Sequence, residues 1–409
     1  MKNDIKTSLQ KKVFDSLKDE HRIILRWATG VGKSKMAIDL VNNAVSNIRK
    51  AHNRRLKIAF IVAERSHISN WEKEFSIWGL NKEGVDISIL CYASLHKLKD
   101  SSVDILILDE AHHCFTDKRK AILESITADY VYMLSATLSI QKIEEIEDIF
   151  GKFTYSTVSL KDAISIDLLP DPNVYVIEMH LDDTVANQTI LIGKDKHAPK
   201  VPWEHRYRYL YRNAPCCIQC TAKQKYQFLT EKMDYWKRRY ESSHNQFHHS
   251  LWVNTGSQRK RFLGELKTYH VKLLTSSLAT TRFICFCASV AQAETLDRRH
   301  TISSRKPSKS NQAIIDAFNS KNLNRIYAVG MANEGLNLVD IQAGIIAQLD
   351  GKERLFIQKF GRSMRAEDPV AYIFYYKDTQ DEVYLKHALE NIDERFIKFT
   401  NIGQLTKVQ

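Results

Sequence analysis

The stretch Arg26-Trp27-Ala28-Thr29-Gly30-Val31-Gly32-Lys33-Ser34 follows a short apolar run and opens an amphipathic helical pattern. Glycines at such a junction let backbone N–H groups turn inward around phosphate oxygens, and the helix N-terminus adds positive potential. Lys33 would add a mobile positive charge, and the Ser34 hydroxyl could bind Mg²⁺. Trp27 stands where the strict G-x-x-x-x-G-K-[ST] pattern has its first glycine, so a glycine-rich helix cap is the alternative. The predicted phosphate-binding residues are Thr29, Gly30, Val31, Gly32, Lys33 and Ser34.

Short apolar runs alternate with longer amphipathic stretches on both sides of this loop, from residue 20 to 150. Continuous β-branched runs are typical of strands that are buried on both faces of a parallel sheet. The predicted strands are residues 23–25, 58–63, 87–91, 105–108 and 130–134. The alternation returns from residue 282, with strands predicted at 283–287, 326–329, 344–347 and 371–375, and one more at 173–181. The sequence therefore predicts two α/β domains with parallel sheets.

A segment of different composition separates the two predicted domains. Residues 183–280 show little strand pattern, and they include 17 Lys and Arg against 7 Asp and Glu. The resulting net charge of +10 accounts for nearly all of the chain's +12. We divide the chain into a first domain (1–156), a crossover with the first strand of the second domain (157–182), a basic and mainly helical insertion (183–280), and the rest of the second domain (281–409).

The overall composition limits the class of protein. The 409 residues are 44% hydrophobic and 26% charged, and no apolar run approaches the roughly 18 residues that would span a bilayer. The N-terminus lacks the apolar stretch of a secretory signal, so we expect a cytoplasmic protein with no membrane partner. Seven cysteines in such a chain predict reduced thiols. The excess of positive charge indicates an anionic partner.

A second group of functional residues is predicted in Ile105-Leu106-Ile107-Leu108-Asp109-Glu110-Ala111-His112. An apolar strand that ends in two carboxylates places Asp109 at the sheet edge, where it could hold Mg²⁺ through water. Glu110 would then be close enough to orient and deprotonate an attacking water. A strand followed by an acidic helical turn is the alternative interpretation.

Asp109-Glu110-Ala111-His112, taken with the loop at residues 28–34, resembles the DEAD/DEAH-type superfamily 2 helicases and translocases. Within that superfamily, the chain resembles the small phage-encoded and the restriction- or repair-type DNA helicases. Other segments resemble the family's ordered motifs. They are Ala63-Glu64-Arg65 with Trp71-Glu72-Lys73-Glu74, Tyr92-Ala93-Ser94-Leu95, Ser135-Ala136-Thr137, residues 283–289, residues 331–338, and Gln358-Lys359-Phe360-Gly361-Arg362-Ser363-Met364-Arg365. The resemblance covers nearly the whole chain apart from the insertion.

This resemblance implies two tandem RecA-like P-loop domains and a motor that hydrolyses ATP with Mg²⁺ held by Ser34 and Asp109. It assigns the coupling of hydrolysis to domain movement to His112, Ser135 and Thr137. Further implied ATP-site residues are Gln10 as an adenine-reading glutamine, Gly335, Gln358, and Arg362 with Arg365 as arginine fingers. Leu9 replaces the aromatic residue often found beside that glutamine, so an exposed helix position is the alternative for Gln10. Arg362 and Arg365 are three apart in a predicted helix, which lets both reach one cleft.

The resemblance also implies that a nucleic acid binds between the two domains. Candidate contact residues are Arg65, Ser94, Ser289 and Glu334, and an ordinary loop or helix-cap role is equally compatible with each. Cations of the insertion, among them Arg238, Arg239, Arg259 and Lys260, are interleaved with aromatic residues. This composition favours nucleic-acid binding, while a solvated helix face over a small core is the alternative.

The resemblance to replication, repair, restriction and phage proteins favours DNA over RNA as the substrate, in a bacterial or phage-infected cell. Protein partners in a replication, repair or defence complex are compatible with it. An RNA helicase, the motor subunit of a restriction complex, and a nucleotide-gated DNA-binding module with little hydrolysis are the alternatives. Cys217 and Cys220 with three downstream histidines could suggest zinc, but the pattern favours a strand at residues 216–220.

Overall fold

The computed structural model describes the chain except at residues 1, 52–53, 194, 196, 211–213, 331–337, 350–366, 391 and 407–409. Its first sheet is built from β1 (Arg22–Trp27), β2 (Leu56–Val62), β3 (Val85–Cys91), β4 (Ser102–Asp109), β5 (Thr127–Leu134) and β6 (Thr154–Val158). These strands are parallel and lie in the order β3-β2-β4-β5-β1-β6. The five strands predicted for this half are confirmed. The sequence did not predict β6, because this edge strand alternates exposed and buried residues.

Helices cover this first sheet because each connection between parallel strands must cross over one of its faces. They are α1 (Lys2–Leu17), α2 (Lys33–Ala51), α3 (Arg65–Trp78), α4 (Asp117–Glu124), α5 (Ile140–Phe150) and α6 (Leu160–Ser165), with 3₁₀ turns at Tyr92–Leu98 and Ala111–His113. Side chains of β1 alternate between the faces, so that Ile23 and Leu25 join one apolar cluster and Ile24 joins another. This sheet and its helices are called the first lobe below.

A second parallel sheet contains β7 (Asn173–Met179) and strands from the last third of the chain. These are β11 (Phe283–Phe286), β12 (Thr301–Ser303), β13 (Arg325–Val329), β14 (Ala343–Ile346), β15 (Val370–Tyr376) and β16 (Ile397–Thr400). Their order is β12-β13-β11-β14-β15-β7-β16. The strands predicted at 173–181, 283–287, 326–329, 344–347 and 371–375 are confirmed. Helices α11 (Val290–Asp297), α12 (Ser308–Asn319), α13 (Gln380–Leu389) and α14 (Ile402–Thr406) complete this second lobe.

The segment between β7 and β11 combines a small sheet with a helical hairpin. The sheet consists of β8 (Gln188–Ile192), β9 (Lys200–Pro202) and β10 (Cys216–Cys220), in the order β8-β10-β9. The helices are α7 (Arg206–Leu210), α8 (Ala222–Ser243), α9 (Gln246–Leu266) and α10 (Thr268–Ser277). The cysteine-rich stretch is therefore a strand, as the favoured interpretation expected. The sequence did not indicate β8 and β9, since both are short and only their alternate side chains are buried.

The two lobes share one apolar cluster. It runs from the first lobe through Leu168 and Leu169, which follow α6, to Val174 of β7 and Ile346 of β14. Leu169 also approaches the phosphate loop, because a Cβ on Gly30 would lie 3.3 Å from Leu169 Cδ2. The crossover between the lobes is thus packed against the loop. Among the described residues, no helix is both long and apolar enough for a transmembrane span.

A buried ion pair ties the insertion to the second sheet. Lys267, between α9 and α10, donates from Nζ to Asp381 Oδ2 at 2.6 Å, to Gln348 Oε1 at 2.9 Å and to the Phe374 carbonyl at 3.1 Å. Gln348 Nε2 donates to Asp381 Oδ1 at 2.6 Å. Burial lowers the pKa of Lys267, and the Asp381 carboxylate opposes that shift. Such a pair holds a defined arrangement only while both charges are present.

We expect Lys267→Met to lower the free energy of unfolding by about 3–5 kcal/mol, because Asp381 would be left as a buried charge without its cation. Urea unfolding followed by circular dichroism would measure the loss. Lys272→Met is the matched control, since Lys272 is an exposed lysine on the adjacent helix α10. Equal stabilities for the two variants would show that the pair does not hold the insertion on the sheet.

Candidate active site

The phosphate loop joins the buried strand β1 to the N-terminus of α2. Gly30 and Gly32 have φ values of 93° and 107°, which residues with a Cβ rarely adopt. A Cβ on Gly32 would also lie 2.3 Å from Gln10 Nε2, so the Gln10 side chain would have to move. Backbone conformation therefore favours glycine at both positions, and a side chain at Gly32 would in addition displace Gln10. Their arrangement leaves N–H groups at a helix N-terminus, which is a favourable place for phosphate.

The departure from the strict loop pattern has a structural explanation. Trp27 is fully buried as the last residue of β1, and its indole Nε1 donates to Ser156 Oγ at 3.0 Å. This bond ties the end of β1, just before the loop, to β6, and Trp27 does not have the positive φ that would favour glycine at this position. Lys33 Nζ donates to the Trp27 carbonyl at 2.8 Å and to the Ala28 carbonyl at 3.4 Å. Lys33 therefore lies along the loop, with Ser34 next to it at the start of α2.

Helix α1 covers one side of the loop. Gln10 is buried and donates from Nε2 to the Val31 carbonyl at 3.2 Å, while Lys6 Nζ donates to the Gly30 carbonyl at 3.0 Å. A cavity of about 450 Å³ opens beside Gln10 between α1 and α2, and Phe14 contributes to its lining. Gln10 is therefore not the exposed helix residue of the alternative interpretation. Its adenine-reading role stays a prediction, for which Phe14 supplies a nearby aromatic ring.

The acidic pair is held by residues from two other elements. Trp71 of α3 donates from Nε1 to Asp109 Oδ2 at 2.9 Å, and the Glu110 N–H donates to Asp109 Oδ1 at 2.9 Å. The Tyr92 hydroxyl donates to the Asp109 carbonyl at 3.0 Å. Burial raises the pKa of Tyr92, so this hydroxyl stays protonated as a donor. Both carboxylate oxygens of Asp109 are thus fixed in direction at the end of β4.

Glu110 turns the chain back sharply after β4. Its φ of 47° and ψ of 53° are left-handed, a conformation that costs a residue with a Cβ roughly 1–2 kcal/mol. Oε2 of Glu110 lies 3.4 Å from Nδ1 of His112, whose side chain is almost fully buried. The strained turn therefore presents a carboxylate beside an imidazole. Backbone strain of this kind is concentrated at functional sites.

The third predicted segment lies between the loop and the acidic pair. In the sheet order, β5 separates β4 from β1, and Asp109, Leu134 and Leu25 are in register. Ser135 directly follows β5, is fully buried, and donates from its backbone N–H to the Leu25 carbonyl at 3.1 Å. The Thr137 N–H lies 3.3 Å from Ser135 Oγ. Ser135 and Thr137 therefore follow the strand between the phosphate loop and the acidic pair. Their role in coupling hydrolysis to domain movement stays a prediction.

The structure separates the predicted nucleic-acid contacts by exposure. Arg65 is exposed at the start of α3, and Ser94 is half-buried in a 3₁₀ turn. Ser289 is buried; it caps α11 by accepting from the Gln292 N–H and donates to Glu265 Oε1 at 3.1 Å. This is the helix-cap role that the alternative interpretation allowed.

The cations of the insertion differ in the same way. Arg238 and Arg239 are exposed and Lys260 is half-buried. Arg259 is only 8% exposed and donates from Nη1 to Thr230 Oγ1 at 3.0 Å. The expectation that Arg259 is a surface cation is therefore corrected: its guanidinium lies between α8 and α9, within reach of the Tyr226 ring.

Several predicted residues lie outside the described part of the chain. These are Glu334, Gly335, Gln358, Arg362 and Arg365. The sequence analysis also did not assign Trp71, Tyr92 and Phe14 to the ATP site. For the first two, the only available signal was their place inside segments that resemble family motifs. Tyr92 and Trp71 bond to Asp109 from 17 and 38 positions away in the sequence, and no local spacing of residues predicts contacts of that kind.

Two protein-family models match the sequence. One is described as "Type III restriction enzyme, res subunit" and matches residues 3–140, and the other is described as "Helicase conserved C-terminal domain" and matches residues 266–367. Together they cover more than half of the chain, with one match in each lobe. No protein of curated function matches.

Solved structures share the fold. Dbp5 of S. cerevisiae bound to RNA and ADP BeF3 has a TM-score of 0.60 and 10% identity, over 98% of this chain and 90% of its own. The ATP-dependent type ISP restriction-modification enzyme LlaBIII bound to DNA has a TM-score of 0.56 and 12% identity, over 97% of this chain and 31% of that longer enzyme. The helicase domain of Pyrococcus furiosus Hef has a TM-score of 0.48 and 13% identity. The first two likenesses show that the lobes are tandem RecA-like domains.

We expect Gly32→Ala to weaken the binding of a fluorescent ATP analogue at least tenfold, because the new Cβ must displace Gln10 and strain the loop. Titration with the analogue measures this. Gly79→Ala is the control: Gly79 also has a positive φ of 68°, but nothing lies within 4 Å of a Cβ there. That variant should lose only about 1 kcal/mol of stability. Equal affinities for the two variants would contradict the described loop.

Trp71→Phe should lower the turnover number for ATP about tenfold with little change in stability. The ring that packs on Phe60 and Phe75 is retained, while the hydrogen bond to the Asp109 carboxylate is lost. Steady-state ATPase rates and a thermal melt test this. Trp78→Phe is the control, since Trp78 is an exposed tryptophan on the same helix that donates to Glu74. Unchanged turnover in Trp71→Phe would show that Asp109 needs no outside support.

Proposed function

We propose that this chain, a superfamily 2 helicase that hydrolyses ATP, is a motor that translocates on or unwinds DNA. One observation carries the ATPase half of the proposal. The phosphate loop and the acidic pair lie at the same carboxyl edge of the first sheet, separated by β5 alone among the strands. Lys33, Asp109 and Glu110 would therefore act at a common site, as phosphoryl transfer requires.

The residues at this edge fit a nucleoside triphosphate with Mg²⁺. Mg²⁺ prefers oxygen ligands and keeps several waters, and the Ser34 hydroxyl with the Asp109 carboxylate provide them. Each oxygen of Asp109 accepts one bond from the protein, which leaves lone pairs for a water of the ion's shell. When bound, the ion supplies positive charge against the phosphates.

Glu110 would orient a water and accept its proton. The left-handed turn places Glu110 directly after β4, and its Oε2 lies 3.4 Å from Nδ1 of the buried His112. Lys33 would move from the loop carbonyls to the phosphates, for which it has a flexible four-carbon stem. Ser135 and Thr137 lie between these two groups and would pass a change at the phosphates to the rest of the lobe.

The second lobe would complete the site with Arg362 and Arg365. A phosphoryl-transfer transition state spreads negative charge over several oxygens, and Lys33 reaches it from one side only. Arginines from the second lobe would cover the other side when the lobes close, with Gln358 and Gly335 in the same surface. Hydrolysis would then depend on lobe closure.

DNA as the substrate is supported by the family model that covers the first lobe, since a restriction enzyme acts on DNA. The concentration of positive charge in the insertion supports a nucleic-acid partner of either kind. Exposed Arg65 and the half-buried Ser94, with Glu334, would contact the backbone between the lobes, which gives little base specificity. The role fits a cytoplasmic replication, repair or defence complex, with protein partners of that complex.

We expect Arg362→Ala to lower DNA-stimulated ATP turnover by about 10³-fold, while the affinity for an ATP analogue changes less than threefold, because an arginine finger acts in the transition state. Rates would be measured with single-stranded, duplex and forked DNA and with RNA, followed by strand displacement on whichever stimulates. Arg298→Ala, in the second lobe directly after α11, is the control.

Undiminished turnover in Arg362→Ala would rule out a site shared between the lobes. Stimulation by RNA alone would replace the DNA proposal with an RNA helicase. Tight binding of DNA and ATP with no stimulated turnover would favour the nucleotide-gated binding module.

A further inference from the structure

The helices α8 and α9 form an arm that extends from the second lobe. The turn at residues 244–245 joins them, and their long contact with each other is the most extensive helix packing in the described chain. In the outer half of the arm, residues 231–254, no described residue is fully buried. The hydrogen bonds, ion pairs and ring contacts that the structure shows for this half all stay within α8 and α9. At 1.5 Å per residue, it projects about 20 Å.

Aromatic rings hold this outer half together in place of an aliphatic core. Tyr240 packs on His249 with ring centroids 4.8 Å apart, and stacks on Trp252 at 6.0 Å. Trp236 stacks on His248 at 5.8 Å. Ring pairs of this kind contribute more than their buried area alone. The arm is therefore braced along its length, which a merely solvated hairpin does not require.

The root of the arm is fixed to the second lobe. A Cβ on Gly264 would lie 2.2 Å from Ala288 Cβ, so α9 is in close contact with the segment after β11. Gln292 Nε2 donates to the Gly264 carbonyl at 2.6 Å, and Ser289 Oγ donates to Glu265. Lys267 adds the buried ion pair described above. A rigid arm with such a root moves as one body with the second lobe.

Charge is unevenly distributed along the insertion. The outer half of the arm has four Lys and Arg against three Asp and Glu, a net charge of +1, whereas the rest of residues 183–280 has thirteen against four, a net charge of +9. A phosphate grip that depends on released counterions needs many cations. Arg259 and Lys267 are buried and cannot take part in such a grip, but the rest of the insertion still has more of the remaining cations than the outer half.

The outer half instead offers exposed rings. Phe247 is 65% exposed at the end of the arm, and Tyr235 is 46% exposed with the Arg239 guanidinium 5.8 Å from its centroid. Nucleobases stack on aromatic side chains whatever their sequence, and one such contact changes affinity by roughly 5- to 150-fold. The last base pair of a duplex has one face that is not stacked on another base pair. A nucleic acid held at the basic root would meet these rings with its bases.

We propose that the arm is a lever of the second lobe, and that Phe247 and Tyr235 stack on the terminal base pair of a duplex at a single-strand junction. This inference rests on the proposed function, because lobe closure during ATP hydrolysis is what would press the arm against the duplex. The proposal adds a stacking contact between a nucleobase and an aromatic ring. The charge of the outer half of the arm would not by itself indicate a nucleic-acid contact there.

Phe247→Ala, alone and with Tyr235→Ala, tests the proposal in the full-length chain. Strand displacement on forked DNA should fall at least tenfold, while ATPase stimulation by single-stranded DNA changes less than twofold. The salt dependence of fork binding should keep its slope, because no phosphate contact is removed. Phe399→Ala is the control, since Phe399 on the edge strand β16 is 63% exposed; it should leave all three quantities unchanged.

A second measurement separates this inference from the proposed function. With 2-aminopurine in the junction base pair, binding of the unaltered protein without ATP should change the fluorescence, and the double variant should not change it. Full displacement by the double variant, an equal loss in Phe399→Ala, or a fluorescence change that survives the double substitution would each overturn the stacking contact. Failure of DNA to stimulate ATPase would overturn the proposed function, and the fluorescence result would still decide the role of the rings.

Discussion

The order of three parallel strands, β4-β5-β1, is the constraint on which the site depends. Parallel strands end at the same edge, so Asp109, Ser135 and the phosphate loop meet there although they are far apart in sequence. No side chain could correct a different order, because one intervening strand adds about 5 Å. The packing of apolar residues on both faces of this sheet therefore positions the carboxylate relative to the loop.

Local spacing was enough to predict the strands that end in functional residues, and it was not enough to predict what supports those residues. A glycine loop before a helix and two carboxylates after a strand each have a physical reason within ten positions. The bonds from Trp71 and Tyr92 to Asp109 arise only after α3 and the 3₁₀ turn have packed beside β4. Likewise, composition alone treated Arg259 as equal to Arg238, and only the packing of α8 on α9 separates a buried guanidinium from an exposed one. Edge strands such as β6 and β8 were not predicted because one face of each is exposed to solvent. Their sequences therefore lack the continuous apolar run by which the other strands were predicted.

The insertion shows why net charge is a coarse guide. Its excess of cations favoured a nucleic-acid role for the whole segment, yet the projecting half of the arm is close to neutral and is braced by rings. Charge attracts a phosphate backbone at long range, whereas stacking acts only on contact and depends little on salt. Most of the insertion's cations lie outside the outer half of the arm and the exposed rings lie within it, which would divide these two tasks between different parts of the insertion.

Two packed contacts lie where the crossover and the insertion meet the lobes. Leu169, in the crossover between the lobes, lies against Gly30 of the phosphate loop, so a shift of the loop must also displace the crossover. At the other end, Gln348 bonds both Lys267 and Asp381 and is followed within two residues by the segment that contains Arg362. Because interiors are close-packed and deform little, these contacts resist displacement more than flexible linkers would: one holds the crossover against the loop, and the other holds the arm on the second lobe.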